Sequence, residues 1–168
     1  MGKNITAQKR GKGSPRYRAP SFRYKGEIKH RPVSEKKGLA EGVVKDIVHS
    51  AGHSAPIALV VYKDKKETLM IAPSGLKVGE SVQTGDRADI STGNTLPLGK
   101  MPEGTLVYNI ENTPGDGGKF VRSSGTFARV GGKTQAGVTL VLPSKKQRVF
   151  NPVCRASVGL VAGSGRKE

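Results

Sequence analysis

Basic and aromatic side chains alternate near the amino terminus in a pattern that suits contact with RNA. The stretch QKRGKGSPRYRAPSFRYK interleaves Arg and Lys with Tyr17, Phe22 and Tyr24, separated by Gly and Pro. Guanidinium groups bind phosphates bidentately, and aromatic rings stack on unpaired bases. A solvated basic tail or a localisation signal is the alternative interpretation. The predicted RNA contacts in and after this stretch are Lys9, Arg10, Lys12, Arg16, Tyr17, Arg18, Arg23, Tyr24, Lys25, His30 and Arg31.

A second basic cluster, GDGGKFVRSSGTFARVGGKT, sets cations and hydroxyls among glycines. Loops of this composition offer backbone N–H groups, hydroxyls and charges to phosphate and ribose oxygens. Flexible loops are the alternative, but flexibility alone does not require arginine. The candidate contacts here are Lys119, Arg122, Ser123, Ser124, Gly125, Thr126, Arg129 and Lys133.

Two patterns could indicate nucleotide or metal chemistry, and neither is complete. Gly131–Thr134 imitates the end of a phosphate-binding loop, but Phe127 occupies the position where that motif needs glycine. His49 and His53 are four residues apart, yet Gly52 lies between them and no third ligand is near. We therefore predict no metal site and no cofactor.

Catalytic side chains are equally hard to assemble. Cys154 lies among alternating apolar positions, which predicts a buried structural thiol. Asp86, Asp89, Asp116, Glu103 and Glu111 stand apart from one another, and no G-x-S-x-G sequence occurs. The sequence therefore predicts a protein that is not an enzyme.

The net charge of +16 is unevenly distributed. Residues 1–37 carry 12 Lys+Arg and 2 acids, residues 38–111 carry 7 and 9, and residues 112–168 carry 10 and 2. Such an excess indicates a polyanionic partner, nucleic acid above all. No run of 18 apolar residues and no signal-peptide pattern is present, which favours the cytoplasm and disfavours a membrane.

These features predict an all-β chain with a basic extension. Residues 1–37 have too few regularly spaced apolar side chains to bury a core, so we expect a tail that is disordered alone. GVVKDIVH, APIALVVY and TLMIAPSG predict strands of a small barrel over residues 38–92, with a hairpin tip at Asp64–Lys66. Only Ser34–Glu41 is a modest helix candidate.

A second all-β unit is expected over residues 93–168. ADISTGNTLPLGKMPEG is rich in Gly and Pro and is interpreted as a linker, which places the boundary near residue 92. TLVYNIE, TFARV, GVTLVLP and RASVGLVAG follow as strand-like segments.

Three long segments carry a family resemblance over nearly the whole chain. They are HSAPIALVVYKDKKETLMIAPSGLKVGE, GNTLPLGKMPEGTLVYNIENTPGDGGKFVRSSGTFARV and TLVLPSKKQRVFNPVCRASVGLVAG. In this combination and order they resemble the universal large-ribosomal-subunit protein two family. The opening MGKNITAQKRGKGSPRYRAP is similar to its archaeal and eukaryotic branch.

The resemblance implies a fold, a function and partners. It implies an OB-fold barrel followed by an SH3-like barrel, bound to large-subunit rRNA near the peptidyl transferase region. Neighbouring ribosomal proteins and the small subunit across the interface are the further implied partners. Assembly and subunit joining would be supported, while peptide-bond chemistry belongs to RNA. A free RNA-binding, RNA-chaperone or transcription-associated module remains the alternative, because both barrels occur there too.

Several positions match the family's RNA-contacting motifs. Arg122–Thr126 matches its R-S-A-G-T segment, with Ser124 where Ala is common, and Arg122→Ala should weaken rRNA binding by about 1–3 kcal/mol. His53 stands where bacterial members often have Arg. Lys145, Lys146 and Arg148 fall in the basic loop after LPS, without the glycine that usually follows.

The end of the sequence departs from the family pattern. Family members continue with a long basic extension that carries a histidine- and glycine-rich segment, which does not follow SGRKE here. Either a truncated chain or a divergent short form accounts for this ending.

Overall fold

The computed structural model describes residues 2–32 and 38–165, and the predicted all-β fold is confirmed there. One helix, α1 (Thr6–Gly11), and two 3-10 turns, Ser21–Arg23 and Leu98–Lys100, accompany ten strands in these ranges. The strands are β1 (Ala40–Val48), β2 (Ile57–Tyr62), β3 (Glu67–Ile71), β4 (Ser81–Thr84), β5 (Thr95–Pro97), β6 (Leu106–Tyr108), β7 (Ala128–Thr134), β8 (Gly137–Val141), β9 (Gln147–Phe150) and β10 (Arg155–Val158).

The first unit is an antiparallel meander with one added strand. β1 pairs with β2, β2 pairs with β3, and β4 returns to the other edge of β1. β-Branched residues dominate β1 and β2 and pack well on a pleated surface. The predicted hairpin tip at Asp64–Lys66 is confirmed, and Lys65 adopts a left-handed φ of 62° there.

The second unit continues the same sheet. The strand order is β3-β2-β1-β4-β5-β10-β6-β7-β8-β9, and the two halves join through one parallel pair, Thr84 with Thr95. β10 lies between β5 and β6, so a strand from the end of the chain closes the start of the second unit.

The predicted linker at residues 88–104 is wrong. This stretch contains β5 and a 3-10 turn, and Leu96, Leu98 and Met101 are buried in the core of the second unit. The glycines and prolines make turns between short buried pieces: Gly93, for example, has a φ of 92° and donates its N–H to Val158. A high content of turn residues therefore did not indicate an unstructured linker.

Strands β4 and β9 were not predicted because their sequences carry little apolar pattern. SVQT contains one buried hydrophobic residue, Val82, and QRVF contains only Phe150. Both strands form because the backbone of a neighbouring strand pairs with them, β1 for β4 and β8 for β9.

Three buried clusters hold the fold together. One belongs to the second unit and one to the first. The third is shared: it joins Ile28 to Ile57 and Ile71 of the first unit and to Tyr108 and Val161 of the second. The Tyr108 hydroxyl also donates to the Ile71 carbonyl at 3.1 Å. The two units are thus packed through a common core.

The basic segment before β1 divides into two parts. Residues 2–25 are exposed and include α1, which buries no residue, so the tail contains a short helix that the sequence analysis did not predict. Residues 26–32 instead pack into the fold, with Ile28 and His30 buried. Of the helix candidate Ser34–Glu41, residues 34–37 lie outside the described residues, and the described residues 38–41 are not helical, since Ala40 and Glu41 begin β1. No helix in the described ranges is long and apolar enough to cross a membrane.

Candidate nucleic-acid interface

A polar groove of about 660 Å³ brings together residues that are distant in sequence. We call it the serine groove. Three short segments line it, namely Ala51–Ser54 before β2, Ser123–Thr126 before β7, and Gly163–Gly165 after β10. Of the predicted contacts, His53, Ser123, Ser124, Gly125 and Thr126 all lie here.

Backbone hydrogen bonds fix the walls of the serine groove. The Ser124 N–H donates to Ser54 Oγ at 3.0 Å, and the Gly125 N–H donates to the Val161 carbonyl at 3.1 Å. Gly125 has a φ of 68°, and a Cβ there would lie 2.9 Å from the Ser164 Cα. Only glycine allows this close approach of two backbones.

An adjoining groove of about 490 Å³ carries the positive charge. We call it the basic groove. It shares Gly125 and Thr126 with the serine groove and adds Arg129, Lys145 and the 40% exposed ring of Phe127. Exposed cations beside an aromatic ring provide the elements of phosphate contact and base stacking.

The turn that presents Lys145 has a left-handed backbone conformation at that residue. Lys145 has a φ of 63°, in the left-handed region that glycine adopts freely. The Lys145 N–H donates to the Leu142 carbonyl at 2.9 Å and closes the turn. Lys145 therefore bears a backbone cost of about 1–2 kcal/mol that glycine would not bear.

The basic tail leaves the fold beside the serine groove. The Tyr24 ring covers Gly52, where an added Cβ would lie 2.0 Å from the ring. Its centroid is 5.7 Å from that of His53, and the Lys25 N–H donates to Ser50 Oγ at 3.3 Å. Burial, with the charge of Arg122, lowers the pKa of His53, so the ring is neutral at neutral pH. Its Nδ1 is 2.9 Å from Ser50 Oγ.

The remaining tail contacts stay solvent-exposed. Arg10 lies over the Tyr17 ring at 5.7 Å and Arg23 over the Phe22 ring at 5.5 Å, which are cation–π distances. The tail cations Lys9, Lys12, Arg16, Arg18 and Lys25 are also exposed. So are two predicted contacts outside the tail, Lys119 and Lys146.

Other predicted contacts bind within the protein itself. Arg31 pairs with Asp64 and stacks on Tyr62 with its Cζ 4.6 Å from the ring centroid. Lys133 Nζ donates to the Gly99 carbonyl at 2.7 Å. The structure therefore gives these two side chains intramolecular partners.

Arg148 and Arg122 are likewise engaged. Arg148 lies between Phe120 and Phe150, at 4.7 and 5.3 Å from their centroids, and donates to Asn112 Oδ1 at 2.9 Å. Half-buried Arg122 donates to two backbone carbonyls. Burial lowers the pKa of Arg122. The sequence predicted that these two arginines contact RNA because of their charge, whereas in the structure both contact groups of the protein itself.

A buried ion pair between Glu111 and Arg155 was not predicted from the sequence. Glu111 is fully buried, and its Oε1 accepts from Arg155 Nη2 at 2.6 Å and from Nε at 3.1 Å. Its Oε2 accepts the Arg155 N–H at 2.8 Å. Burial alone would raise the pKa of Glu111, but these hydrogen bonds outweigh it and hold the pKa below its usual value. Because 44 residues separate the pair, the sequence carried no local signal of it.

His30 is buried beside this ion pair. Only 8% of the residue is exposed, and its Nε2–H donates to the Asn109 carbonyl at 2.6 Å. Burial, followed by the charge of Arg155, lowers the pKa of His30 to about 4. His30 therefore serves the packing of residues 26–32.

The two incomplete motifs remain incomplete in three dimensions. Gly131–Thr134 lies inside β7, without the loop and helix that a phosphate-binding motif needs. Within residues 2–32 and 38–165 no three His, Cys, Asp or Glu residues are grouped as metal ligands. Cys154 is buried as predicted, and burial raises the pKa of its thiol.

Family comparison covers both halves of the chain. Residues 2–84 match the family described as Ribosomal Proteins L2, RNA binding N-terminal domain, and residues 91–168 match Ribosomal Proteins L2, C-terminal domain. The chain belongs to the ribosomal protein L2 family. This membership confirms the predicted resemblance and the predicted OB-fold and SH3-like barrels, and it makes the chain a structural ribosomal component.

Archaeal relatives match the whole chain. The large ribosomal subunit protein uL2 of Methanococcus maripaludis is 49% identical over 170 residues, which cover all of this chain and 71% of the relative. The corresponding proteins of Methanococcus vannielii and Methanothermobacter thermautotrophicus are both 48% identical, with 72% and 70% of their lengths covered. These matches support the archaeal type of the family member.

Proposed function

We propose that this chain is a structural constituent of the large ribosomal subunit and binds large-subunit rRNA through its exposed tail and the two adjoining grooves. The observation that carries the proposal is the convergence of His53, Ser123–Thr126, Arg129 and Lys145 on one face. His53, Ser123–Thr126 and Lys145 come from separate loops and Arg129 from β7, and the tail leaves the fold beside them. A single RNA surface can therefore meet all of them.

The chemistry of this face suits a structured polyanion. The Ser123, Ser124 and Ser164 hydroxyls of the serine groove can donate to phosphate and ribose oxygens, and Arg129 and Lys145 supply charge nearby. No deep pocket for a flipped base is needed, because shape and backbone contacts dominate recognition of folded RNA. Residues 2–25 would thread between RNA helices and lower phosphate repulsion.

The proposal also includes a location in the ribosome and a role in its assembly. Within this proposal the protein works in the cytoplasm, in the ribosome, near the peptidyl transferase region and in contact with neighbouring ribosomal proteins. It supports assembly, joining to the small subunit, and translation. Functionally, the chain divides into a tail over residues 1–37, an OB-fold barrel over 38–92 and an SH3-like barrel over 93–168. Residues 26–32 anchor the tail.

The face can be tested by titrating large-subunit rRNA with single variants. We expect Arg129→Ala and Lys145→Ala each to weaken binding by about 1–3 kcal/mol and to lower the salt slope by about one. Lys77→Ala is the control, because it removes the same charge from an exposed residue outside both grooves. Equal losses in all three variants would remove the grooves from the interface.

Crosslinking in cells separates this function from a free RNA-binding module. After a high-salt wash, reads concentrated in a few large-subunit rRNA segments are the expected result. Reads spread over messenger and transfer RNA would instead support the free module, in which the grooves bind single strands without a preferred site.

A further inference from the structure

Two arginines of the second unit hold the backbone of residues 26–32. Arg122 Nη2 donates to the Ile28 carbonyl at 3.0 Å, while its Nη1 donates to the Gly118 carbonyl at 3.2 Å. Arg155 Nη1 donates to the Arg31 carbonyl at 2.6 Å. The carbonyls of Ile28 and Arg31 thus accept hydrogen bonds from two arginines, one in the loop before β7 and one in β10.

Arg155 is itself held in place by a buried carboxylate. Two further nitrogens of Arg155 bind buried Glu111, which fixes its orientation. The segment adds its own backbone bond, from the His30 N–H to the Gly117 carbonyl at 2.9 Å. Charge-assisted hydrogen bonds to groups shielded from water are among the stronger contacts in proteins.

The same segment reaches the first unit. Gly26 lies so close to β3 that an added Cβ would be 2.7 Å from Leu69 Cδ1. Ile28 fills the cluster shared by both units, and Arg31 pairs with Asp64 at the β2–β3 turn. Residues 26–32 therefore bridge the units, with the arginines on one side and β2 and β3 on the other.

We propose that Arg122 and Arg155 are positioning residues that clamp residues 26–32 between the two units and so set where the basic tail emerges. Arg122 matches an RNA-contacting motif by sequence, but in this fold its guanidinium donates to the Ile28 carbonyl of the anchor segment and to the Gly118 carbonyl. The tail continues from that anchor to Tyr24, which covers Gly52 at the edge of the serine groove. The clamp needs no RNA; only its effect on RNA binding rests on the proposed function.

Hydrogen exchange of the free protein tests the clamp directly. Arg122→Lys keeps the charge and removes the forked contact to two carbonyls. We expect exchange in a peptide covering residues 26–32, the His30 amide included, to accelerate by about tenfold or more. Arg129→Lys is the matched control, because Arg129 is an exposed arginine of the basic groove close by in sequence, and it should leave this exchange unchanged.

The pattern of exchange across the chain decides the outcome. A rise confined to residues 26–32 supports the clamp. Unchanged exchange in that segment, or an equal rise in β7–β9, overturns it, because Arg122 would then be dispensable or would stabilise the whole second unit. The double variant Glu111→Leu/Arg155→Met probes the second arginine without leaving a lone buried charge, and it should also loosen residues 26–32.

Titration with large-subunit rRNA then separates the two proposals. Arg122→Lys should bind more weakly although no charge is lost, while Arg87→Lys, the same change at an exposed arginine outside both grooves, should bind as the original chain does. If exchange accelerates in Arg122→Lys but the affinity for rRNA is unaltered, the clamp stands and the grooves beside the tail are not its RNA interface.

Discussion

Replacing His30 by Gln should remove a pH dependence from the stability of the protein. His30 is buried, and its ring donates to the Asn109 carbonyl from Nε2. The ring faces the positive charges of Arg155 and Arg122 and the negative charge of Glu111. Burial and Arg155 together hold its pKa near 4. Glutamine can offer a similar N–H donor and does not titrate.

The sign and size of this pH dependence follow from the different pKa of His30 in the folded and unfolded chains. The unfolded chain takes up a proton on His30 as the pH falls through 6.5, whereas the folded chain resists protonation until about 4. Stability is therefore unaffected above the unfolded pKa and falls as the pH drops through this window. At pH 5 the loss is about 2 kcal/mol, and it approaches about 3 kcal/mol below the folded pKa.

Urea unfolding followed by circular dichroism at several pH values between about 7.5 and 5 gives the measurement. The free energy of unfolding should fall more steeply with acidity in the original chain than in His30→Gln, and the gap should widen by about 2 kcal/mol over this range. His49→Gln is the control, because His49 is exposed, and its curve should follow that of the original chain. Parallel curves for His30→Gln and the original chain would contradict this reasoning, because they would show that His30 takes up its proton equally easily in the folded and unfolded chains.

Two further variants test the buried pair and the tail anchor. Glu111→Gln should lower the free energy of unfolding by about 3–5 kcal/mol, because Arg155 stays buried without its counter-charge. Glu103→Gln is the exposed control in urea unfolding, and equal effects would contradict the role of the pair. Gly52→Ala should push the Tyr24 ring away and speed chymotrypsin cleavage after Tyr24, measured by mass spectrometry. Gly132→Ala is the control, because an added Cβ there has open space around it, and it should not change the cleavage rate. Unchanged cleavage in Gly52→Ala would refute the contact between Tyr24 and Gly52.

The sequence predicted those strands whose own side chains carry the pattern. β1, β2 and β8 contain runs of Val, Ile and Leu bounded by turn residues, and each forms where it was expected. β4, β5 and β9 are three or four residues long and owe their pairing to neighbours. Local pattern cannot report a partner strand that supplies most of the stabilisation.

The candidate site shows the same division. Hydroxyls, glycines and cations at residues 123–129 were identified by type, and the fold brings them to one face. Types did not reveal that Arg122 and Arg148 would be held by carbonyls and rings of the chain itself. Ile28 was overlooked because one apolar residue among charges has no periodicity, and its burial depends on residues far along the chain.

The clamp also dictates an order of events while the chain is being made. Arg155 binds the Arg31 carbonyl across 124 residues of sequence, so the anchor segment waits for that arginine to be synthesised. At about 5–20 residues per second the delay is roughly 6–25 seconds. Once residue 84 has been made, β1 to β4 can pair, since their contacts are local, while residues 26–32 still lack the contacts that the second unit supplies. The anchor segment is thus made before the second unit but fixed only after it.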